Sequence, residues 1–175
     1  MILILGAKGF IGSALVCLPN TVGCTEDIRD KEKLRPYFKE AEFVVHCAAI
    51  TPKKIEKPGR DYYGVNVLGT KNVVELCIEN NCKLIYLSTR SIHGVYGRTK
   101  QEAQKIVEDC VSKGLKVIIL RLCPILPDGD PKIKNRRYSI TNLVENISNI
   151  IKRHNFSKFK LIDYQYEKPV DLYKS

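Results

Sequence analysis

A doubly wound parallel α/β sheet is the fold this chain predicts, and three observations predict it. Apolar runs of four to seven residues alternate with amphipathic helical stretches as far as Leu122. The runs are continuous rather than alternating, as strands buried on both faces require. The first of them, Met1 to Leu5, passes directly into glycines at Gly6, Gly9 and Gly12 and then into a helix.

That opening stretch, MILILGAKGFIGSA, assigns each glycine a task. Gly6 allows a tight turn, Gly9 lets backbone approach a pyrophosphate, and Gly12 lets the helix lie close to the sheet. The N–H groups at the start of the helix, Phe10 to about Leu18, point at ligand phosphates. A glycine-rich turn without a ligand is the simpler alternative. A short strand comes next at Thr21 to Cys24, and then an acidic turn. Glu26 and Asp27 are candidates for the ribose hydroxyls of a dinucleotide; they are equally candidates for capping the helix Lys31 to Phe38.

Glu42 to Cys47 is the third strand, and the small Ala48 and Ala49 beyond it leave room for a flat cofactor. His46, alone within an apolar strand, reads as a structural residue. A basic, proline-punctuated loop from Thr51 to Gly59 leads to a helix from Asp61 to about Asn80, with apolar residues at Val65, Leu68, Val73, Leu76 and Cys77. Gly69 inside it costs about 1 kcal/mol relative to alanine, so close packing is expected there. Lys83 to Leu87 is the next strand, ending in Ser88 and Thr89; a helix runs on to about Lys113 and stops at Gly114; Lys116 to Leu122 is a further buried strand. Beyond these come a proline-rich basic loop, an amphipathic helix from Thr141 to Arg153, a short strand at Lys158 to Ile162 and a polar tail.

At 175 residues the chain is expected to form one domain. It shows no charged leader and no apolar run of membrane-spanning length, so a soluble, cytoplasmic protein without a membrane partner is expected. Seven cysteines without CxxC spacing suit neither a disulfide framework nor a zinc site, and are expected as buried small hydrophobes; no metal is expected. A net charge of +10, from 29 Lys and Arg against 19 Asp and Glu, implies an acidic partner. That partner could be nucleic acid or a phosphorylated small molecule, and charge alone does not choose; the basic residues cluster only at Lys132 to Arg137 and Lys152 to His154, with no aromatic-interleaved motif of the RRM type, and most read as solvated surface.

Tyr96 and Lys100 stand four apart at the start of a helix, on one face, with Cβ atoms about 5–6 Å apart. An ammonium so placed stabilises tyrosinate and is expected to bring the phenol from about 10 towards neutrality, making Tyr96 a proton shuttle. With these motifs in order, the chain resembles the extended short-chain dehydrogenase/reductases, the NAD-dependent epimerase/dehydratase family of nucleotide-sugar enzymes. The resemblance covers about the first 125 residues: GAKGFIG at Gly6 to Gly12, DIRD at Asp27 to Asp30, HCAA at His46 to Ala49, NVLGT at Asn66 to Thr70, STRSIHG at Ser88 to Gly94, YGRTK at Tyr96 to Lys100 and LRLCPIL at Leu120 to Leu126.

The resemblance implies a Rossmann-type sheet over residues 1–125 and a much reduced C-terminal substrate lobe over 126–175. It implies NAD or NADP, undistinguished, held by Gly6, Lys8, Gly9, Phe10, Ile11, Gly12, Asp27, Ile28, Ala48, Ala49, Asn66, Tyr96 and Lys100. Lys8 is the candidate to meet a 2'-phosphate, the Asp27-Ile28 pair to read the adenine, and Asn66 to order the site. Thr89, rather than Ser88, would bond the reacting sugar oxygen, with Tyr96 as acid/base and Lys100 clamping the nicotinamide ribose. The segment before DIRD and the loop from Thr89 to Tyr96 are both shorter than the family's. The implied function is oxidoreduction or epimerisation of a nucleotide-linked sugar by a homodimer. The alternative is a non-catalytic dinucleotide-binding sensor or partner subunit.

Overall fold

The computed structural model describes residues 1–52, 59–130, 138–153, 156, 159–165 and 168–171. The glycine turn joins β1 (Ile2–Leu5) to α1 (Phe10–Leu15); next come β2 (Thr21–Cys24), α2 (Lys31–Phe38) and β3 (Phe43–His46). A π-helical turn (Gly64–Gly69) runs into α3 (Thr70–Glu79), and after it lie β4 (Lys83–Thr89), α4 (Gly94–Asp109) and β5 (Lys116–Leu122). The remaining elements are β6 (Ile125–Leu126), β7 (Tyr138–Ser139), α5 (Ile140–Arg153), β8 (Lys160–Gln165) and β9 (Lys168–Asp171).

Seven strands form one sheet in the order β2-β1-β3-β4-β5-β8-β9, parallel throughout except for the antiparallel pair β8 and β9. Side chains of a strand alternate between the two faces, and each face has its own core. Leu3, Leu5, Val44, Leu84 and Tyr86 meet α2, α3 and α4 on one side, while Ile4, Val45, Ile85 and Leu87 meet α1 and α5 on the other. Strand β1 has β2 on one flank and β3 on the other, so the winding reverses about it. The reversal opens a crevice at the carboxyl ends of β1 and β3, where ligands of such sheets bind. No helix among the described residues is long and apolar enough to cross a membrane.

Several boundaries differ from the expectation. Helix α1 ends at Leu15, and the helix expected from Asp61 opens with a π-helical turn. An added Cβ at Gly64 would overlap the Asp61 carboxylate, and one at Gly69 would lie 2.6 Å from the Ile28 side chain, so both glycines allow close approach. The extra residue of a π turn shifts the helical register, and Leu68, expected on the apolar face, is 48% exposed. The proline-rich stretch after β5 contributes β6, which pairs with β7, and the polar tail contributes β9. Cys24, Cys77 and Cys82 are buried as expected of cysteines here, whereas Cys17 is exposed. The basic loop at 53–58, the basic stretch at 132–137 and His154 lie outside the described residues.

Candidate active site

The crevice is lined by residues the sequence brings from several helices, strands and the turns between them. Gly6, at the end of β1, has φ +81°, and an added Cβ there would lie 2.7 Å from the Ala48 backbone. A Cβ on Gly12 would overlap the Gly6 carbonyl oxygen, so the turn closes this tightly only without side chains at both positions. Gly9 is exposed at the mouth. A cavity of about 410 Å³ adjoins this turn, lined by Gly6, Gly9, Thr25, Glu26, Asp27, Ile28, Ala48 and Ala49 among others. A larger one, of about 1010 Å³, holds Phe10, Ile11, Ser88, Thr89, Arg90, Tyr96 and Lys100, and the two cavities share Cys47 and Ala49. The two cavities thus adjoin at Cys47 and Ala49, one beside the glycine turn and the end of β2, the other at the end of β4.

In the acidic turn after β2, the capping expected of Glu26 or Asp27 falls to another carboxylate. Asp30 caps α2, its carboxylate accepting from the Lys33 N–H at 3.2 Å, so neither Glu26 nor Asp27 is the cap. Asp27 is bound by the Arg29 guanidinium at 2.6 Å, which holds its carboxyl below the usual carboxylate range, and Arg29 reaches Asp61 at 3.0 Å as well. Ile28 is buried, its carbonyl accepting from Asn72. Glu26, half-buried, and Asp27, exposed, both line the cavity. Lys8 is exposed and lies outside the described linings of both cavities.

Asn66 is fully buried in the π turn. Its amide oxygen accepts from the Ile50 N–H at 2.8 Å, and its amide nitrogen donates to the Ile50 carbonyl at 3.1 Å and to the Thr99 hydroxyl at 3.2 Å. It thereby fixes the segment leaving β3 to the turn of α4 that carries Lys100. Sequence reasoning missed Thr99, whose only signal was its place beside Lys100. His46 is structural as expected, with a partner the sequence did not disclose: Thr70, whose hydroxyl donates to the Asn66 carbonyl at 2.7 Å and accepts from His46 Nε2 at 3.0 Å. Nδ1 is buried without a hydrogen bond, and burial with the nearby Lys100 charge holds the imidazole down at about 3, neutral at physiological pH.

Thr89, Tyr96 and Lys100 are brought onto one cavity wall. The Ser88 hydroxyl donates to Gln104 Oε1 at 2.7 Å, which leaves Thr89 as the hydroxyl beside Tyr96. Thr89 accepts from the Ser91 N–H at 3.1 Å, and its hydrogen bond to Tyr96 favours the phenolate. The expected fall of the Tyr96 phenol is not what the structure gives: burial raises it above its ordinary value, and Thr89 offsets only part of this. The Lys100 ammonium is itself out of water, donating to the Leu87 carbonyl at 2.7 Å, and burial lowers it to about 7. Burial thus weakens the hold of the amine on its proton, and with it the support it gives a phenolate.

Known proteins share both the sequence pattern and the sheet. The sequence model of the family described as "RmlD substrate binding domain" matches residues 1–94. Among curated proteins, the chain is 37% identical over 86 residues to the 3beta-hydroxysteroid-dehydrogenase/decarboxylase isoform 2 of Arabidopsis thaliana, covering 46% of this chain and 15% of that one. It is 35% identical over 85 residues to an inverting UDP-N-acetylglucosamine 4,6-dehydratase of Campylobacter jejuni, covering 46% and 25%. The matches thus span a quarter or less of these relatives' length. Among solved structures, it resembles MoeE5 in complex with UDP-glucuronic acid and NAD, with a TM-score of 0.78, 18% identity, and 98% and 78% of the two chains covered. It also resembles the dTDP-4-dehydrorhamnose reductase of Bacillus anthracis in complex with NADP, with a TM-score of 0.76, 18% identity, and 97% and 76% covered. At these identities the structural likeness speaks to the fold.

Proposed function

The chain belongs to the extended short-chain dehydrogenase/reductases, within the family described as the RmlD substrate binding domain, and from that premise we propose that it is an NAD(P)-dependent oxidoreductase or epimerase of a nucleotide-linked sugar. The observation that carries the reading is the convergence of Thr89, Tyr96 and Lys100 on one cavity that adjoins the one beside the glycine turn. The residues present fit a dinucleotide: the turn at Gly6 and Gly12 is closed too tightly for side chains, and the adjoining cavity carries Glu26 at the end where a ribose would lie. Bound there, the cofactor supplies the hydride acceptor or donor. Tyr96 takes the proton from the substrate hydroxyl, or returns it to the carbonyl oxygen, while the Thr89 hydroxyl bonds the same oxygen. Lys100 holds the cofactor ribose, and its charge favours the phenolate. The basic balance of the chain suits the substrate's diphosphate.

The working unit is a homodimer built on the π-α3 and α4 helices. Exposed apolar side chains support this: Tyr63 at 49%, Leu68 at 48%, Ile92 at 60% and Val95 at 49%. A second reading, a dinucleotide-binding module without turnover, is favoured by the raised Tyr96 phenol. One experiment separates the two. Purified protein is titrated with NADH and NADPH by calorimetry, then assayed with UDP- and dTDP-linked sugars, UDP-N-acetylglucosamine and UDP-glucuronic acid included. Binding with turnover is expected; binding without turnover across the panel selects the second reading, and no binding excludes both.

A further inference from the structure

Lys100 carries a charge that its polar neighbours do not balance. Its amine is buried, 2% of the residue being exposed, yet among the described residues no carboxylate pairs with it and its one hydrogen bond goes to the Leu87 carbonyl. An ammonium taken out of water without a counter-ion loses its proton unless something else meets the charge. The group that does so is Tyr86 of β4, fully buried, whose ring centroid lies 4.2 Å from Lys100 Nζ. The negative face of an aromatic ring attracts a cation most strongly where water is excluded.

We infer that Tyr86 is the positioning residue for the cofactor-facing amine: its ring keeps the buried Lys100 charged, and with the Leu87 carbonyl fixes the ammonium at the cavity wall. The ring is itself held in place. His46 of β3 packs on it with centroids 5.5 Å apart, and His46 is tied through Thr70 to the carbonyl of Asn66. The other titratable groups around the amine are His46 of β3, Cys47 just after it, and Tyr96 one turn earlier on α4. Burial keeps His46 and Cys47 neutral near pH 7, so neither replaces the ring as a partner for positive charge. The inference deepens the proposed function and rests on it only for the role of Lys100 towards cofactor.

The test observes the Lys100 side chain directly. In full-length protein carrying Cε-labelled lysine, the Lys100 resonance is assigned by its loss in Lys100→Met, and its titration midpoint is measured in wild type, Tyr86→Phe and Tyr86→pentafluorophenylalanine. The fluorinated ring has nearly the same shape but a reversed face charge, so folding is preserved. Tyr86→Phe should keep the midpoint within a few tenths of a unit. The fluorinated variant should lower it by about one pH unit or more, a tenfold change in proton affinity. Equal midpoints in all three proteins would overturn the inference. NADH affinity at slightly alkaline pH should fall several-fold in the fluorinated variant and further in Lys100→Met. If Lys100→Met binds NADH as well as wild type does, the cofactor role of Lys100 fails, while the midpoints still decide the role of Tyr86.

Discussion

Tyr96 depends on its neighbours more than on its own surroundings. Burial disfavours the phenolate, and Thr89 is the group that relieves this in the cofactor-free chain. Thr89→Val should therefore lower kcat by about a hundredfold to a thousandfold, as loss of a hydrogen bond to a charged oxygen does, whereas Thr89→Ser should retain most activity. Steady-state kinetics on the two variants checks this. His46 yields a prediction about stability. Its folded value of about 3 lies below its unfolded value of about 6.5, so between these the unfolded chain binds a proton that the folded chain refuses. The contribution is fully present above pH 6.5 and is lost as pH falls towards 3. Urea unfolding at pH 7 and pH 5 should show a stability loss of about 2 kcal/mol that His46→Gln no longer shows.

At the scale of elements, the glycine turn is the most constrained feature of the crevice. Gly6→Ala combines a left-handed φ with backbone contact at 2.7 Å, and should cost about 2–4 kcal/mol in denaturant unfolding and abolish NADH binding. This turn was legible because backbone geometry admits one residue type there. The parallel strands from Ile2 to Leu122 were legible for a similar reason, since burial on both faces demands unbroken apolar runs. The features concealed from the sequence depend on tertiary partners. The π turn at Gly64–Gly69 packs its two glycines against Asp61 and Ile28, and periodicity carries no trace of either contact. Strand β6 is held by parallel pairing with β7, and β9 by antiparallel pairing with the adjacent β8, rather than by apolar pattern. Asp27 lines the cavity, but its pairing with Arg29, two residues on, was not legible. YxxxK spacing placed Tyr96 and Lys100 on one face correctly, but could not disclose that Lys100 is buried against Tyr86.

For the whole molecule, the exposed apolar residues on and just before the π-α3 and α4 helices predict association. Light scattering should give about twice the 19.9 kDa of one chain, and Leu68→Glu should return the monomer. The crevice at the winding reversal, the glycine turn and the Thr89-Tyr96-Lys100 wall support the proposed chemistry, in which Tyr96 would move the proton of a nucleotide-linked sugar. The most direct test is turnover by Tyr96→Phe on the nucleotide sugar that wild type accepts, with NADH affinity measured in parallel. With Tyr96 as the acid/base, kcat should fall by about a hundredfold to ten-thousandfold with affinity for NADH little changed. Undiminished turnover by Tyr96→Phe would contradict that role.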